Sequence, residues 1–186
     1  MPQTKAKITI QNVVATATLN QKIDLNAVVK GHPRVEYYPK RFPGLVFRLK
    51  RPKTATLIFS TGKMVCTGAR TGAESRRAIL KVVKELKNSG IIIPSKPSFK
   101  VVNMVASASL GGMIDLEKVA YTLNKTMYEP EQFPGLIYRM VEPKVVILLF
   151  STGKLVCTGA KKEQDVYDAV HKLHVSLEEQ NLIFYE

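Results

Sequence analysis

Runs rich in β-branched residues and alanine predict strands at residues 8–19, 42–49, 54–59 and 64–69. The strand at 42–49 is entered through Pro43-Gly44, and Ser60-Thr61-Gly62-Lys63 reads as the tight turn of an antiparallel hairpin. Two stretches change to helical spacing. Ala78, Ile79, Val82, Val83 and Leu86 form one apolar stripe, which predicts a helix over 73–88 closed by Gly90. Ile23, Val28 and Val29 behind Asp24 predict a shorter helix over 23–30.

The pattern then starts again. Asn12-Val13-Val14-Ala15 returns as Asn103-Met104-Val105-Ala106, Phe42-Pro43-Gly44-Leu45 as Phe133-Pro134-Gly135-Leu136, and Val65-Cys66-Thr67-Gly68-Ala69 as Val156-Cys157-Thr158-Gly159-Ala160. Every offset is 91 residues, without a gap. Val166, Ala169, Val170, Leu173 and Leu177 repeat the stripe of the long helix. Two copies are too few for a solenoid. They predict an α+β protein of two pseudo-symmetric β-α-β-β-β-β-α repeats, with domains at 1–95 and 96–186 joined near Pro94-Ser95-Lys96-Pro97.

Strand side chains alternate between faces. Val65 and Thr67 share one face and Met64, Cys66 and Gly68 the other, so neither face is charged. An antiparallel sheet open on one side should carry charge there. The second face is therefore expected to be covered, by protein, by a partner or by a ligand. Asn12 and Asn103 interrupt apolar strands at equivalent positions, and a buried amide without a hydrogen bond costs about 1–3 kcal/mol. Either an internal partner or a ligand would satisfy it. Phe42 with Phe59, and Phe133 with Phe150, are spaced alike and flanked by cations, including Arg41, Arg48, Lys63, Arg139 and Lys154. Apolar wedges among phosphate-binding cations suit a protein that kinks DNA from the minor groove, and core packing is the alternative.

Charge sharpens the picture. The 186 residues carry 28 Lys or Arg against 15 Asp or Glu, a net +13 that points to a polyanionic partner. Residues 1–93 hold eighteen basic and four acidic side chains, and residues 94–186 ten and eleven. The surplus therefore lies wholly in the first repeat. The pattern Arg76, Arg77, Lys81, Lys84 and Lys87 on its long helix reads as a solvated face, with a second docking surface or a non-specific DNA contact as alternatives.

Other chemistry is thin. A hydrophobic fraction of 45% with 23% charged residues excludes wholesale disorder. The longest apolar run, Val145-Val146-Ile147-Leu148-Leu149-Phe150, is too short to span a bilayer, and residues 1–5 do not read as a signal peptide. Gly62-Lys63 and Gly153-Lys154 lack the spacing of a phosphate-binding loop. Two cysteines cannot build a thiolate zinc site, and His171 with His174 makes a weak metal claim. Cys66 and Cys157 read as small core hydrophobes. No acid–base pair or activated nucleophile emerges. The expectation is a non-enzymatic, intracellular protein with no cofactor and no metal.

Three segments carry a family resemblance: Tyr128-Glu129-Pro130-Glu131-Gln132-Phe133-Pro134-Gly135-Leu136-Ile137-Tyr138-Arg139-Met140, Leu57 through Ala69, and Leu148 through Lys161. Over roughly residues 8–184 the chain resembles the TATA-binding protein family of transcription initiation factors, in its archaeal form. The family is itself a well-known instance of minor-groove kinking. The resemblance implies a saddle-shaped antiparallel sheet of ten strands, with four helices on its convex face. It implies binding of double-stranded DNA at the TATA box, and recruitment of transcription factor B and RNA polymerase. By resemblance, Phe42, Phe59, Phe133 and Phe150 intercalate. Asn12, Asn103, Val14, Val105, Leu57, Leu148, Val65, Val156, Thr67 and Thr158 contact the groove. Arg48, Arg139, Lys63, Lys154, Arg70 and Lys161 hold phosphates. Glu129, Glu131 and Gln132 meet transcription factor B. The expected location is the cytoplasm, on the nucleoid, or the nucleus if the source is eukaryotic. Homodimerisation through the apolar underside in the absence of DNA stays open. So do two rivals on the same fold: a recognition domain belonging to an enzyme, and a pure protein-interaction scaffold.

Overall fold

A computed structural model describes residues 6–186. The elements run β1 (Lys7–Thr18), α1 (Leu25–Gly31), β2 (Leu45–Lys50), β3 (Lys53–Ile58), β4 (Lys63–Ala69), α2 (Gly72–Asn88), β5 (Ser98–Ser109), β6 (Met113–Ile114), α3 (Leu116–Thr122), β7 (Thr126–Met127), β8 (Leu136–Met140), β9 (Val145–Leu149), β10 (Lys154–Ala160), α4 (Glu163–Glu179) and β11 (Ile183–Phe184). The chain divides into two compact units. One is Asn12–Val102, and the other joins Asn103–Glu186 to residues 6–11. The main sheet is nine-stranded, in the order β2-β3-β4-β1-β5-β10-β9-β8-β7, and β11 pairs with β6 in a separate two-stranded sheet.

Side-chain caps start α1, α2 and α3, and α1 begins at Leu25, later than the expected residue 23, because Asp24 caps the helix from outside it. The Asp24 carboxylate accepts the N–H groups of Asn26 and Ala27, and Thr71 Oγ1 accepts that of Glu74 at 3.0 Å. Asp115 does the same for α3 through Lys118. The stripe of α2 is buried, with Ala78, Val82 and Leu86 at 0% exposure. It packs with Leu45, Ile58, Met64 and Cys66 of the sheet into one core. In α4, Val166, Ala169, Val170, Leu173 and Leu177 are buried in the same way.

Two departures from the sequence-based expectation have clear causes. First, the main sheet has nine strands where ten were expected. In the second repeat β7 pairs with β8 through Thr126↔Tyr138 and Met127↔Ile137. The equivalent segment of the first repeat makes only the single bridge Glu36↔Val46. Thr126 is anchored through Oγ1, which donates to the Ala120 and Leu123 carbonyls. The first repeat has Val35 there, which cannot donate, and Pro33 just before it, which lacks an N–H. Second, Gly68 does not share the face of Met64 and Cys66. A bulge shifts the register between Val13↔Ala69 and Ala15↔Cys66, so Ala69 takes the buried position and Gly68 is exposed. Gly68 has φ +103°, and a Cβ there would lie 3.1 Å from the Lys53 carbonyl oxygen. Gly159 repeats the geometry at φ +102°.

Candidate nucleic-acid interface

In each unit the helices cover one face of the sheet, and the other face is half-buried and uncharged. In Asn12–Val102 that face carries Asn12, Val14, Leu57, Phe59, Val65 and Thr67, all of intermediate exposure. Cross-strand pairing puts Leu57 opposite Val65 and Ala55 opposite Thr67. In the other unit Asn103, Val105, Leu148, Phe150, Val156 and Thr158 occupy the equivalent places, with Val156 opposite Leu148 and Thr158 opposite Val146. No described helix packs on these side chains. Among the described residues the face therefore holds a row of apolar groups that water only partly covers.

At the end of this face the phenylalanines come together. The Phe42 and Phe59 rings meet edge to face, with centroids 5.9 Å apart and planes at 73°. Phe133 and Phe150 repeat the arrangement at 5.9 Å and 72°. Phe42 is 43% exposed and Phe133 38%, so these rings are not core side chains. Gly44 makes the pair possible. A Cβ at that position would sit 2.8 Å from Phe42 Cε1 and 3.0 Å from Phe59 Cε1, and Gly135 stands likewise in the other unit. The glycine of each Phe-Pro-Gly-Leu motif is thus the floor under its ring pair.

The asparagines are satisfied within the protein. Asn12 Oδ1 accepts the Gly68 N–H at 2.6 Å, and Asn12 Nδ2 donates to Thr67 Oγ1 at 2.9 Å. In the second repeat, Gly159 N–H donates to Asn103 Oδ1 at 2.7 Å and Asn103 Nδ2 donates to Thr158 Oγ1 at 3.2 Å. A backbone N–H must meet an acceptor, which fixes the orientation of each amide. The asparagine thus closes the amide that the bulge releases from the ladder. The bulge could not be read from the sequence, although the glycine after Thr67 and Thr158 was the available signal. Thr16, Val46, Ala55 and Ser107 were missed as members of this face. Their parity with Val14, Leu57 and Val105 would have found them.

The six cations expected to hold phosphates are all exposed. Lys63, Lys154, Arg70 and Lys161 are exposed. Arg48 is exposed and pairs with Glu36 at 3.6 Å. Arg139, its counterpart in the second repeat, is exposed too, and Met127 stands there in the place of Glu36. Glu129, Glu131 and Gln132 lie on the loop before Phe133, where the Glu129 carbonyl accepts the N–H groups of Gln132 and Phe133.

The buried titratable groups belong to the core. Cys66 and Cys157 are fully buried. Burial pushes the Cys157 thiol up to about 11 and raises that of Cys66 as well. His174 is buried, and desolvation lowers its pKa while the Glu178 carboxylate opposes this. It lies 2.7 Å from the Tyr185 hydroxyl, which donates to Glu178. Among the described residues no group of three or more His, Cys, Asp or Glu side chains gathers as a metal site. Among them, too, no helix is long and apolar enough to cross a membrane.

The family model described as "Transcription factor TFIID (or TATA-binding protein, TBP)" matches residues 7–89 and again 98–180. The chain belongs to the TATA-binding protein family. The TATA-box-binding protein of Sulfurisphaera tokodaii is 51% identical over 94% of this chain and 88% of its own. That of Methanothermobacter thermautotrophicus is 49% identical over 97% and 99%. The solved structure of Methanococcus jannaschii TBP aligns with a TM-score of 0.84, at 47% identity over 93% of this chain and 99% of its own. The two family matches coincide with the 91-residue repeat, so each repeat is one copy of the family domain.

Proposed function

We propose that this chain is a general transcription initiation factor that binds the minor groove of a TATA-box promoter element, kinks it, and recruits transcription factor B and RNA polymerase. The observation that carries the reading is the pairing of a half-buried apolar face with an exposed Phe–Phe edge, made twice at equivalent positions. Family membership supports it.

The physical logic follows from the groove. A·T pairs offer only acceptors there, so few hydrogen bonds discriminate. Val14, Val105, Leu57, Leu148, Val65 and Val156 bury apolar area against sugars and base edges. Asn12 and Asn103 donate their remaining N–H to adenine N3 or thymine O2, and Thr67 and Thr158 stand beside them. Phe42 with Phe59, and Phe133 with Phe150, enter base steps at the two ends of the element. Unstacking costs a few kcal/mol per step and is cheapest at flexible TA steps. Arg48, Arg139, Lys63, Lys154, Arg70 and Lys161 neutralise phosphates. Glu129, Glu131 and Gln132 offer an acidic loop to a basic surface of transcription factor B. None of these roles is catalytic, and the reading requires neither metal nor cofactor.

Fluorescence energy transfer across an end-labelled TATA duplex, with a G·C-rich duplex as control, tests the reading at two salt concentrations. A rise in transfer confined to the TATA duplex is expected. Binding of both duplexes without a bend, lost steeply with salt, would reduce the activity to the action of net charge.

A further inference from the structure

The weak edge of the first repeat leaves a cleft of whose lining the function above uses only Arg48. Only the bridge Glu36↔Val46 ties the segment after α1 to β2, so the chain at Pro33 and Arg34 departs from the sheet. A cavity of about 980 Å³ opens between that segment, the ends of β2 and β3, and the end of α2. Its floor is apolar, made by Val35, Phe47 and Leu49. Its rim is cationic, with Arg34, Lys50 and Lys53 all exposed.

The inner wall is held in place. Gly31 lets the end of α1 approach α2 so closely that a Cβ there would meet Ser89 Cβ at 2.6 Å. His32 Nε2 lies 3.2 Å from both the Glu85 carbonyl and Ser89 Oγ, and its ring packs edge-on against Phe47 at 5.0 Å. The cleft is thus built by packing and does not depend on the loop alone. At the positions of Lys50 and Val35 the second repeat carries Val141 and Thr126, and β7 pairs with β8 along this edge. Lys125 and Lys144 keep the charge of Arg34 and Lys53 there, so what sets the first repeat apart is Lys50 and the weakly paired edge.

We propose that this cleft docks an acidic, extended segment of a protein partner, with one bulky apolar side chain seated between Val35, Phe47 and Leu49 and flanking carboxylates on Arg34, Lys50 and Lys53. Charge complementarity selects an acidic occupant, because the one acidic side chain lining the cleft is Glu85, at its inner wall. The apolar floor selects a peptide over a nucleic acid, which would engage the cations and leave Phe47 and Leu49 without a partner.

The test titrates the whole protein with the capped peptide Asp-Glu-Phe-Asp-Glu, followed by two-dimensional NMR. Its Phe→Ser form and a short G·C-rich duplex serve as competitors. The expected result is a set of shifts at Val35, Phe47 and Leu49. Affinity should fall roughly tenfold in the K50E/K53E variant, and by a similar factor for the Phe→Ser peptide. TATA-duplex bending by K50E/K53E should stay at the wild-type level. Shifts spread over Arg76, Arg77 and Lys84 of α2, equal binding of the Phe→Ser peptide, displacement by the G·C duplex alone, or no shifts at millimolar peptide would each overturn the proposal.

Discussion

Asn12 Oδ1 accepts the Gly68 amide across 56 residues of sequence, and Asn103 does the same for Gly159. One side chain on the open face therefore fastens the bulge of the strand beside it. Replacing Asn12 by Ala should expose an unpaired N–H and lower stability by about 1–3 kcal/mol. Urea denaturation would check this. An unchanged midpoint would show that water replaces the amide at no cost, and Asn12 would keep only its outward role.

Phe59→Ala and Phe150→Ala remove rings that are only half-buried. Stability should fall by roughly 1 kcal/mol, well under the 3–5 kcal/mol of a core phenylalanine. DNA bending, read by energy transfer, should fall far more. Unfolding of either variant would return the ring to the core.

Gly44→Ala asks for less. The added methyl meets ring edges and not backbone. The Phe42 ring should swing aside with the fold intact, and the bend angle should shrink without loss of thermal stability. A wild-type bend would mean that the ring pair rearranges in any case on binding.

Charge reversal at Glu131 should weaken the ternary complex with transcription factor B by about tenfold while leaving DNA affinity unchanged, because the side chain is exposed and lies outside the apolar face. A gel-shift assay with and without the factor separates the two. Equal loss of both would sink the docking assignment.

The buried groups set pH limits at both ends. Cys157 is raised from 9.0 to about 11, so above pH 9 the unfolded chain gives up a proton that the native protein keeps. Stability should therefore decline between pH 9 and 11. His174 is lowered from 6.5, so as pH falls below that value the unfolded chain binds a proton that the native protein resists. Stability should decline there too. Thermal unfolding across roughly pH 5 to 11 on wild type, Cys157→Ala and His174→Gln would assign each limb.

Much of the fold and of the interface is legible in the order of the amino acids. Apolar spacing places α2 and α4 and their buried stripes, because a helix face depends only on neighbours three and four residues away. The 91-residue repeat, the lack of charge on both strand faces and the basic surplus of the first half are all plain in the sequence. The equivalent spacing of the phenylalanines marks them as a set, although it cannot say that the rings touch.

Local and periodic features thus follow from the chain alone: two equivalent halves, long helices with apolar stripes, and a second sheet face lacking the charge of a solvated one. Folding in three dimensions settled the rest. It set which polar groups pair across 55 residues, where Gly68 and Gly159 shift the register, and why the second repeat keeps β7. Those outcomes depend on contacts between segments far apart in the chain. A one-residue bulge, or a Thr hydroxyl that reaches two carbonyls where its counterpart is Val35, changes them without disturbing the pattern along the chain.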